Sequence, residues 1–593
     1  MDTPHPPLTP VPVPVPRSLP EYVRHWAGAT PDRRALTFVD HPSPHARGVH
    51  RTLTWRRLDL RVRALAARLA EEAEPGARVA LLCPQGPEYV TAFLATLAAG
   101  LVAVPLFPPG LPGHGDRLSA VLADARPAAV VTASGALDEV REFCAGGAVP
   151  VVAADLVPDT AADDLRWVAP DDDAVAYLQY TSGSTRTPAG VEITHANVVA
   201  NARQALAAYG ADDRPVTCVG WLPLYHDMGL VLSVAAPVVR GLLSVLMEPA
   251  AFMQEPARWL RLLATHPHAL SAAPNFAYDH CVSAVTGAQR AGLRLDGVAA
   301  LINGSEPVRP GTADAFHAAF AGQGLSADTH CPSYGLAEAT VFVSAARPGE
   351  PLRRFALDRD ALAGGKALPA RPDDPGAVLL AGCGTPAGQQ VRIADPVSRT
   401  ALSEGEVGEI WVRGPNIGRG YWQQEELTRR VFGAALDGTA GGWLRTGDLG
   451  TVLDGQLIVT GRLKDLIVVD GRNHYPQDVE ATVQEAHPAV RRGRLAAFAV
   501  PGPEGEGKGK GMGEGERVAV VAEHIRTTDL AEIDVPVLVR ACRAAVSVRH
   551  GLRLADVVVV PPDAVPRTSS GKVSRALTRE RYLAGVYAAG SAR

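Results

Sequence analysis

Short apolar runs alternate with helix-patterned stretches through the first half of the chain, and this alternation restricts the fold more than any other feature. Apolar residues recur at helical spacing over 57–73 and 88–100. Between and after them come the runs Ala77-Arg78-Val79-Ala80-Leu81-Leu82, Val102-Ala103-Val104-Pro105-Leu106, Val130-Val131-Thr132 and Val151-Val152-Ala153. Val216-Thr217-Cys218-Val219 and Ala299-Ala300-Leu301-Ile302 continue the rhythm. Strands joined through helices pair in parallel, because the crossover needs a dozen or more residues. The expected class is therefore α/β, with parallel α/β subdomains. The rhythm breaks between about 378 and 460. There Val391-Arg392-Ile393, Gly408-Glu409-Ile410-Trp411-Val412 and Gln456-Leu457-Ile458-Val459 lie between Gly and Asp turns, which predicts a small β-rich subdomain. A smaller α+β unit follows.

With 593 residues the chain is too long for one ordinary core. Residues 1–20 read as a Pro-rich flexible arm, and 502–515 as a Gly/Glu/Lys-rich disordered loop. The net charge of -5 gives no basic excess for nucleic acid or an anionic membrane. The seven cysteines are scattered without a Cys-x-x-Cys pair, so no zinc site or disulfide framework is signalled. No apolar run is long enough to span a bilayer, and the N-terminus lacks the pattern of a signal peptide. A cytoplasmic protein is expected. Only five of the 58 basic residues are lysines: Lys366, Lys464, Lys508, Lys510 and Lys572. A residue this scarce is seldom placed in a chemical motif by accident.

The run Ala174-Val175-Ala176-Tyr177-Leu178-Gln179-Tyr180 reads as a strand that enters Thr181-Ser182-Gly183-Ser184-Thr185-Arg186-Thr187-Pro188-Ala189-Gly190. A loop of small hydroxylic residues around glycine offers several N–H and O–H donors to one anion. Its spacing is not that of a Walker P-loop. A Ser/Thr-rich surface turn would look similar, but four further strings accompany it. They are Gly220-Trp221-Leu222-Pro223-Leu224-Tyr225-His226-Asp227-Met228-Gly229, Ser333-Tyr334-Gly335-Leu336-Ala337-Glu338-Ala339-Thr340, Trp443-Leu444-Arg445-Thr446-Gly447-Asp448-Leu449-Gly450 and Pro566-Arg567-Thr568-Ser569-Ser570-Gly571-Lys572. Taken singly, each has a bland explanation: a histidine on a turn, a surface Glu, a capping Asp, a solvated lysine.

Together, and in this order over nearly the whole chain, the motifs resemble the superfamily of acyl-CoA synthetases, peptide-synthetase adenylation domains and luciferases. The Thr-Arg-Thr-Pro-Ala-Gly variant, with Ala189 where the superfamily usually has lysine, resembles its fatty acyl-AMP ligase branch. The strings Ala272-Ala273-Pro274-Asn275-Phe276 and Asp470-Gly471-Arg472-Asn473-His474-Tyr475 resemble that branch too.

The resemblance implies ATP and Mg²⁺ as cofactors and a fatty acid as substrate. It implies an adenylate-forming domain over 21–463 and a small mobile domain over 464–593, hinged at Lys464. Lys572 would bridge the carboxylate and the α-phosphate, His226 would lie near the carboxylate, and Glu338 with Thr185 would hold the metal. The nucleotide would meet Thr181, Ser182, Gly183, Ser184, Thr185 and Arg186. It would also meet the loop Gly304, Ser305, Glu306, Pro307, then Ser333, Tyr334, Gly335 and Leu336, and finally Asp448 and Arg462. Trp221, Met228, Ala273, Pro274, Asn275 and Phe276 would form the acyl pocket. No Asp that could pair with an amino-acid ammonium is evident over 222–232.

An insertion over about 347–377, with a short helical pattern at 358–364, is longer than a simple connection needs. In the resembled branch such an insertion goes with failure to use coenzyme A. Limiting or anchoring the small domain would account for that. The acceptor implied is an acyl carrier protein, or a carrier domain of a polyketide synthase or peptide synthetase. It would act in trans, since no phosphopantetheine site follows Lys572. Two alternatives stand beside this reading: an ordinary acyl-CoA synthetase, and a catalytically silent adenylate-binding module. Retention of Glu338, Asp448, Arg462 and Lys572 argues against silence.

Overall fold

The computed structural model describes residues 16–588, apart from 44–45, 47, 111–114, 146–148, 168, 182–187, 213, 439–440, 502–515 and 569–570. The first fifteen residues of the Pro-rich arm, and the predicted loop over 502–515, lie outside this range. The chain is already helical at Leu19, where the Ser18 hydroxyl caps helix Leu19–Ala29.

Two large sheets carry the larger, N-terminal part of the chain. One runs in the order Gly420–Tyr421, Gly190–Thr194, Val175–Tyr180, Val102–Pro105, Arg78–Leu81, Ala129–Thr132, Val151–Ala153. From Val175–Tyr180 onward its neighbours are parallel, as the strand–helix alternation predicts. The second sheet has a parallel centre made of His330–Tyr334, Val298–Asn303, Ala269–Ala273, Thr217–Gly220, Leu243–Leu246 and Arg34–Asp40. The first sheet is antiparallel at its Gly420–Tyr421 edge, and the second at both edges. The hairpin Arg34–Asp40 with Val49–Thr54 is not marked by the sequence reading. One strand is buried on both faces and its partner is polar and exposed, so neither shows a clean alternation.

The β-rich region is a four-stranded antiparallel sheet of Gln390–Ala394, Gly408–Arg413, Leu444–Leu453 and Gln456–Arg462. The C-terminal unit has its own core. Val490–Pro501, Glu516–His524 and Leu554–Val560 form its sheet, and helices Pro476–Ala486 and Val535–His550 cover it. The insertion is a ribbon of Arg354–Asp358 and Ala377–Ala381 that carries helix Arg359–Ala363. Its Leu357 and Leu362 share an apolar cluster with Leu449 and with Tyr475 of the C-terminal unit.

Candidate active site

Parallel strands deliver the site residues at their C-terminal ends, where open α/β sheets bind ligands. Tyr334 ends one strand, and Gly304 follows the last residue of its neighbour. A Cβ on Gly304 would sit 2.8 Å from the Ser333 carbonyl oxygen, so the two strand ends approach too closely for a side chain there. At Gly335 a Cβ would lie 1.6 Å from the Val341 carbonyl oxygen. The segment after Gly335 folds back tightly, through Thr340 at φ 68° and ψ -59°. Such backbone costs about 1–3 kcal/mol and needs external support. Asn416 and Asn201 supply it. The Thr340 hydroxyl donates to the Asn416 carbonyl at 2.7 Å, and the Asn201 amide brackets Phe342 at 2.9 Å on both its N–H and C=O.

This folded-back segment carries Glu338, half-buried, with Oε1 accepting from the Tyr421 hydroxyl at 2.8 Å. Burial raises its pKa above the usual carboxylate value. Beside it, Asp448 accepts from the Tyr334 hydroxyl at 2.9 Å and from Arg462 Nε at 2.9 Å. Asp448 raises the Arg462 pKa against the effect of burial, so the guanidinium is firmly cationic.

Below this cluster lies a narrow slot. Gly304, Ser305, Gly335 and Asp227 line it together with Met228, Leu232, Ile302, Phe342 and Tyr209. Lys572 of the C-terminal unit lies within electrostatic reach of Asp227, one of the lining residues. Burial and Arg462 depress its pKa, while the carboxylates of Asp227, Glu306 and Asp448 oppose that shift. The Lys572 backbone is set by a tight turn, in which the Thr568 N–H donates to the Lys572 carbonyl at 2.8 Å. Arg567 anchors this turn on the large domain, with its guanidinium carbon 5.7 Å from the centroid of the Phe276 ring. At Asp227 burial pushes the carboxyl up. His226 at 2.6 Å, Lys572 and the Met228 N–H outweigh that and leave it below the usual range.

Residues 23–422 match the model of the AMP-binding enzyme family. The long-chain-fatty-acid–AMP ligase FadD26 of Mycobacterium marinum is 42% identical over 95% of this chain and 97% of its own length. FadD32 of Mycolicibacterium smegmatis, with the same enzyme name, is 41% identical over 97% of this chain and 95% of its own. The chain belongs to the AMP-binding enzyme family, in its fatty acyl-AMP ligase branch. Among solved structures, the Legionella pneumophila fatty acyl-adenylate ligase in complex with acyl adenylate and pyrophosphate superposes with a TM-score of 0.73. It shares 32% identity over 96% of both chains.

The ligase uses ATP with Mg²⁺, as AMP-binding enzymes do. Magnesium takes one or two protein carboxylates and otherwise binds phosphate oxygens and water. Glu338 fits that demand. One of its oxygens is engaged by Tyr421, and a cation at the other would offset the burial that raises its pKa. Among the described residues no cluster of three or more His, Cys, Asp or Glu side chains could hold a metal. Ser182, Gly183, Ser184, Thr185 and Arg186 lie outside the described residues, so the predicted phosphate loop and Thr185 as a metal partner have no described geometry. Thr181 is described, and its carbonyl accepts from Arg117 at 2.9 Å.

Tyr334, Glu338, Asp448, Arg462, Lys572 and the loop from Gly304 to Glu306 are brought together as the motifs imply. The Pro307 carbonyl is held away by the Asn275 amide at 2.9 Å. The predicted acyl-pocket residues separate. Met228 lines the slot. Trp221 instead stacks on Phe252 at 3.9 Å within an aromatic core. Asn275 is engaged by Asn303, Pro307 and the Arg309 N–H. Ala273 is buried in its strand, Pro274 begins the following helix, and Phe276 faces the Lys572 turn rather than the slot. His226 faces a neighbouring cavity with Tyr225 and Arg117, while Asp227 faces the slot. Two kinds of residue escaped the sequence reading. Asp227 lies within the stretch taken to hold no pairing Asp, and Tyr209 and Phe342 belong to no recognised string. Ala273, expected in the acyl pocket, is buried in the sheet beside Ala272. Among the described residues, no helix is long and apolar enough to cross a membrane.

Proposed function

We propose that the ligase joins a fatty-acid carboxylate to the α-phosphate of ATP at the slot, then passes the acyl group to the phosphopantetheine thiol of a carrier acting in trans. In the first step a carboxylate oxygen forms a bond to the α-phosphorus, the bond to the bridging oxygen breaks, and pyrophosphate leaves. Two anions must meet, so fixed cations offset their repulsion. Lys572 and Arg462 stand on the two sides of that meeting point. Lys572 bridges the reacting oxygens, and Arg462 holds ribose or phosphate beside Asp448, whose carboxylate takes the ribose hydroxyls. Tyr334 packs its ring against adenine, and its hydroxyl keeps Asp448 oriented. Glu338 would hold magnesium, whose charge would offset that of the phosphates. In the second step the thiol sulfur bonds to the acyl carbon, AMP leaves, and the thiol proton is lost.

The observation that carries this reading is that Lys572, half-buried and from a separate unit of the chain, lies within electrostatic reach of Asp227, Glu306, Asp448 and Arg462. A lysine that merely solvated a loop would have no reason to be there. Carrier rather than coenzyme A as acceptor is supported by the insertion, which Arg359 ties to Asp478 of the small domain. Fatty-acid-dependent ATP–pyrophosphate exchange tests the first step. Offering the purified protein coenzyme A and a phosphopantetheinylated carrier side by side tests the second. No exchange with any fatty acid would favour a silent module. Acyl-CoA in preference to acyl-carrier would favour an ordinary synthetase.

A further inference from the structure

We infer that Phe276 and Arg567 are positioning residues for Lys572: the phenyl ring is a seat on the N-terminal part of the chain, and the guanidinium docks the turn of the lysine upon it. The inference rests on the role proposed for Lys572, and it gives Phe276 a task other than lining the acyl site. The turn is closed by its own backbone. Arg567 and Val573 face each other in an antiparallel bridge. The Gly571 N–H donates to the Thr568 carbonyl at 2.8 Å, and the Ser574 N–H donates to the Pro566 carbonyl at 2.9 Å. Gly571 stands at φ 86°, in the region that favours glycine. Arg567 Nε donates to the Gly571 carbonyl at 2.6 Å, so the guanidinium is tied to the residue just before Lys572.

The ring meets the turn at that same residue. A Cβ on Gly571 would lie 3.5 Å from Phe276 Cε1 and 3.0 Å from Arg567 Nη2. The guanidinium carbon is 5.7 Å from the ring centroid, within the range of a cation–π contact. Burial, and then the like charge of Arg494, lowers the Arg567 pKa to about 10, which leaves it cationic at neutral pH. Phe276 is itself held. Asn275, the residue before it, is tied to Asn303, Pro307 and the Arg309 N–H. Trp221 meets the Phe276 ring edge-on with centroids 6.2 Å apart, and Trp221 is stacked on the buried Phe252 at 3.9 Å. The seat is thus the outer end of a packed aromatic column, and packed interiors do not deform gradually. Lys572 needs such a seat, because burial and the like charge of Arg462 both disfavour its ammonium. A displacement of about 1 Å in a reacting group can cost on the order of 10²-fold in rate.

Phe276→Leu, which keeps apolar bulk but loses the ring face, tests this. Its kcat for pyrophosphate exchange should fall about tenfold, the scale of a partly desolvated cation–π contact. KM for ATP and for the acid should change little, and the factor should be the same for short and long acids. Transfer from supplied acyl-AMP to a carrier should stay near the wild-type rate. Phe276→Tyr restores a ring face and should restore exchange. Arg567→Met, which keeps the stem and removes the charge, should repeat the leucine pattern, and the double variant should lose little more than either single one. In a Lys572→Ala background, Phe276→Leu should have no further effect on the residual exchange. Exchange within twofold of wild type in both folded single variants overturns the inference. So does a loss that grows or shrinks with acid length, which would make Phe276 a wall of the acyl site, or an equal loss in exchange and transfer. Wild-type exchange in Lys572→Ala itself overturns the role proposed for the lysine, an outcome distinct from an essential lysine that is indifferent to Phe276.

Discussion

The guanidinium of Arg359, in the insertion, donates to both carboxylate oxygens of Asp478, in the small domain, at 2.7 and 3.2 Å. Both side chains are more than four-fifths buried, at 13% and 14% exposure. A forked pair of this kind fixes orientation as well as distance. It makes the insertion a clamp on the same unit that delivers Lys572. Removing one partner of such a pair leaves a buried charge and costs about 3–5 kcal/mol. In Arg359→Ala, hydrogen exchange over 464–475 should accelerate. Arg472 and Asp360, paired at 3.1 Å but exposed, are worth about 0–1 kcal/mol, so Arg472→Ala should change little.

The same clamp bears on the acceptor. Shortening 348–374 removes helix Arg359–Ala363 and the Tyr475 contact together. Acyl-CoA formation should rise in that variant, measured by product chromatography with coenzyme A as sole thiol. If the shortened protein forms no more acyl-CoA than the parent, the insertion does not decide the acceptor.

Lys572→Ala removes one placed cation from the meeting point of two anions. Loss of a single preorganised donor typically lowers the rate by roughly 10²–10³. Pyrophosphate exchange should fall by at least that factor. Transfer from chemically supplied acyl-AMP to the carrier should fall far less, because that step no longer brings carboxylate and triphosphate together. Equal losses in both assays would point to a folding defect instead.

What the sequence disclosed, and what it hid, follows from where the information lies. The parallel sheets were legible because buried strands are continuous apolar runs, as at Val79–Leu81 within Arg78–Leu81. The nucleotide side proposed for Gly335, Glu338, Asp448 and Lys572 was legible because few residue types suit a tight backbone approach, a metal ion, a pair of hydroxyls or a reacting anion. The slot was not legible. Its walls are Tyr209, Leu232, Ile302 and Phe342, residues whose types fill any core, and only the fold brings them together. Trp221 and Asn275 misled for the converse reason: they stand in motif-like strings, yet their work is packing and the pinning of the 303–309 loop.

Acid should weaken the fold through buried histidines. Burial lowers the pKa of His330 from 6.5 to about 4. Its Nε2 accepts from the Asn303 amide at 3.0 Å, which holds it neutral. The unfolded chain binds a proton below about 6.5 that the folded chain refuses until about 4, so stability falls as pH drops through that window. The full shift is worth about 3 kcal/mol. His195 and His550, also lowered to about 4, act in the same direction. Urea midpoints at pH 7 and 4.5 should show the loss, and His330→Gln, which keeps an acceptor but cannot titrate, should show less of it.

Gly335→Ala tests the folded-back segment on which the nucleotide side depends. The added Cβ would fall 1.6 Å from the Val341 carbonyl oxygen, so either the segment or the strand end must move. Neither moves easily. The Val343 N–H donates to the Tyr334 carbonyl at 3.0 Å, Thr340 is tied to Asn416, and Phe342 is bracketed by Asn201. Overpacking costs about 1–3 kcal/mol where neighbours can shift, and this site is at the upper end or beyond. Glu338 lies between Gly335 and Val341, so any relief displaces it from Tyr421. Pyrophosphate exchange should therefore drop along with the urea midpoint. Gly311→Ala is the matched control. It sits in helix Pro310–Phe320 with nothing within 4 Å of the new methyl, and should gain about 0.5–1 kcal/mol with exchange unchanged.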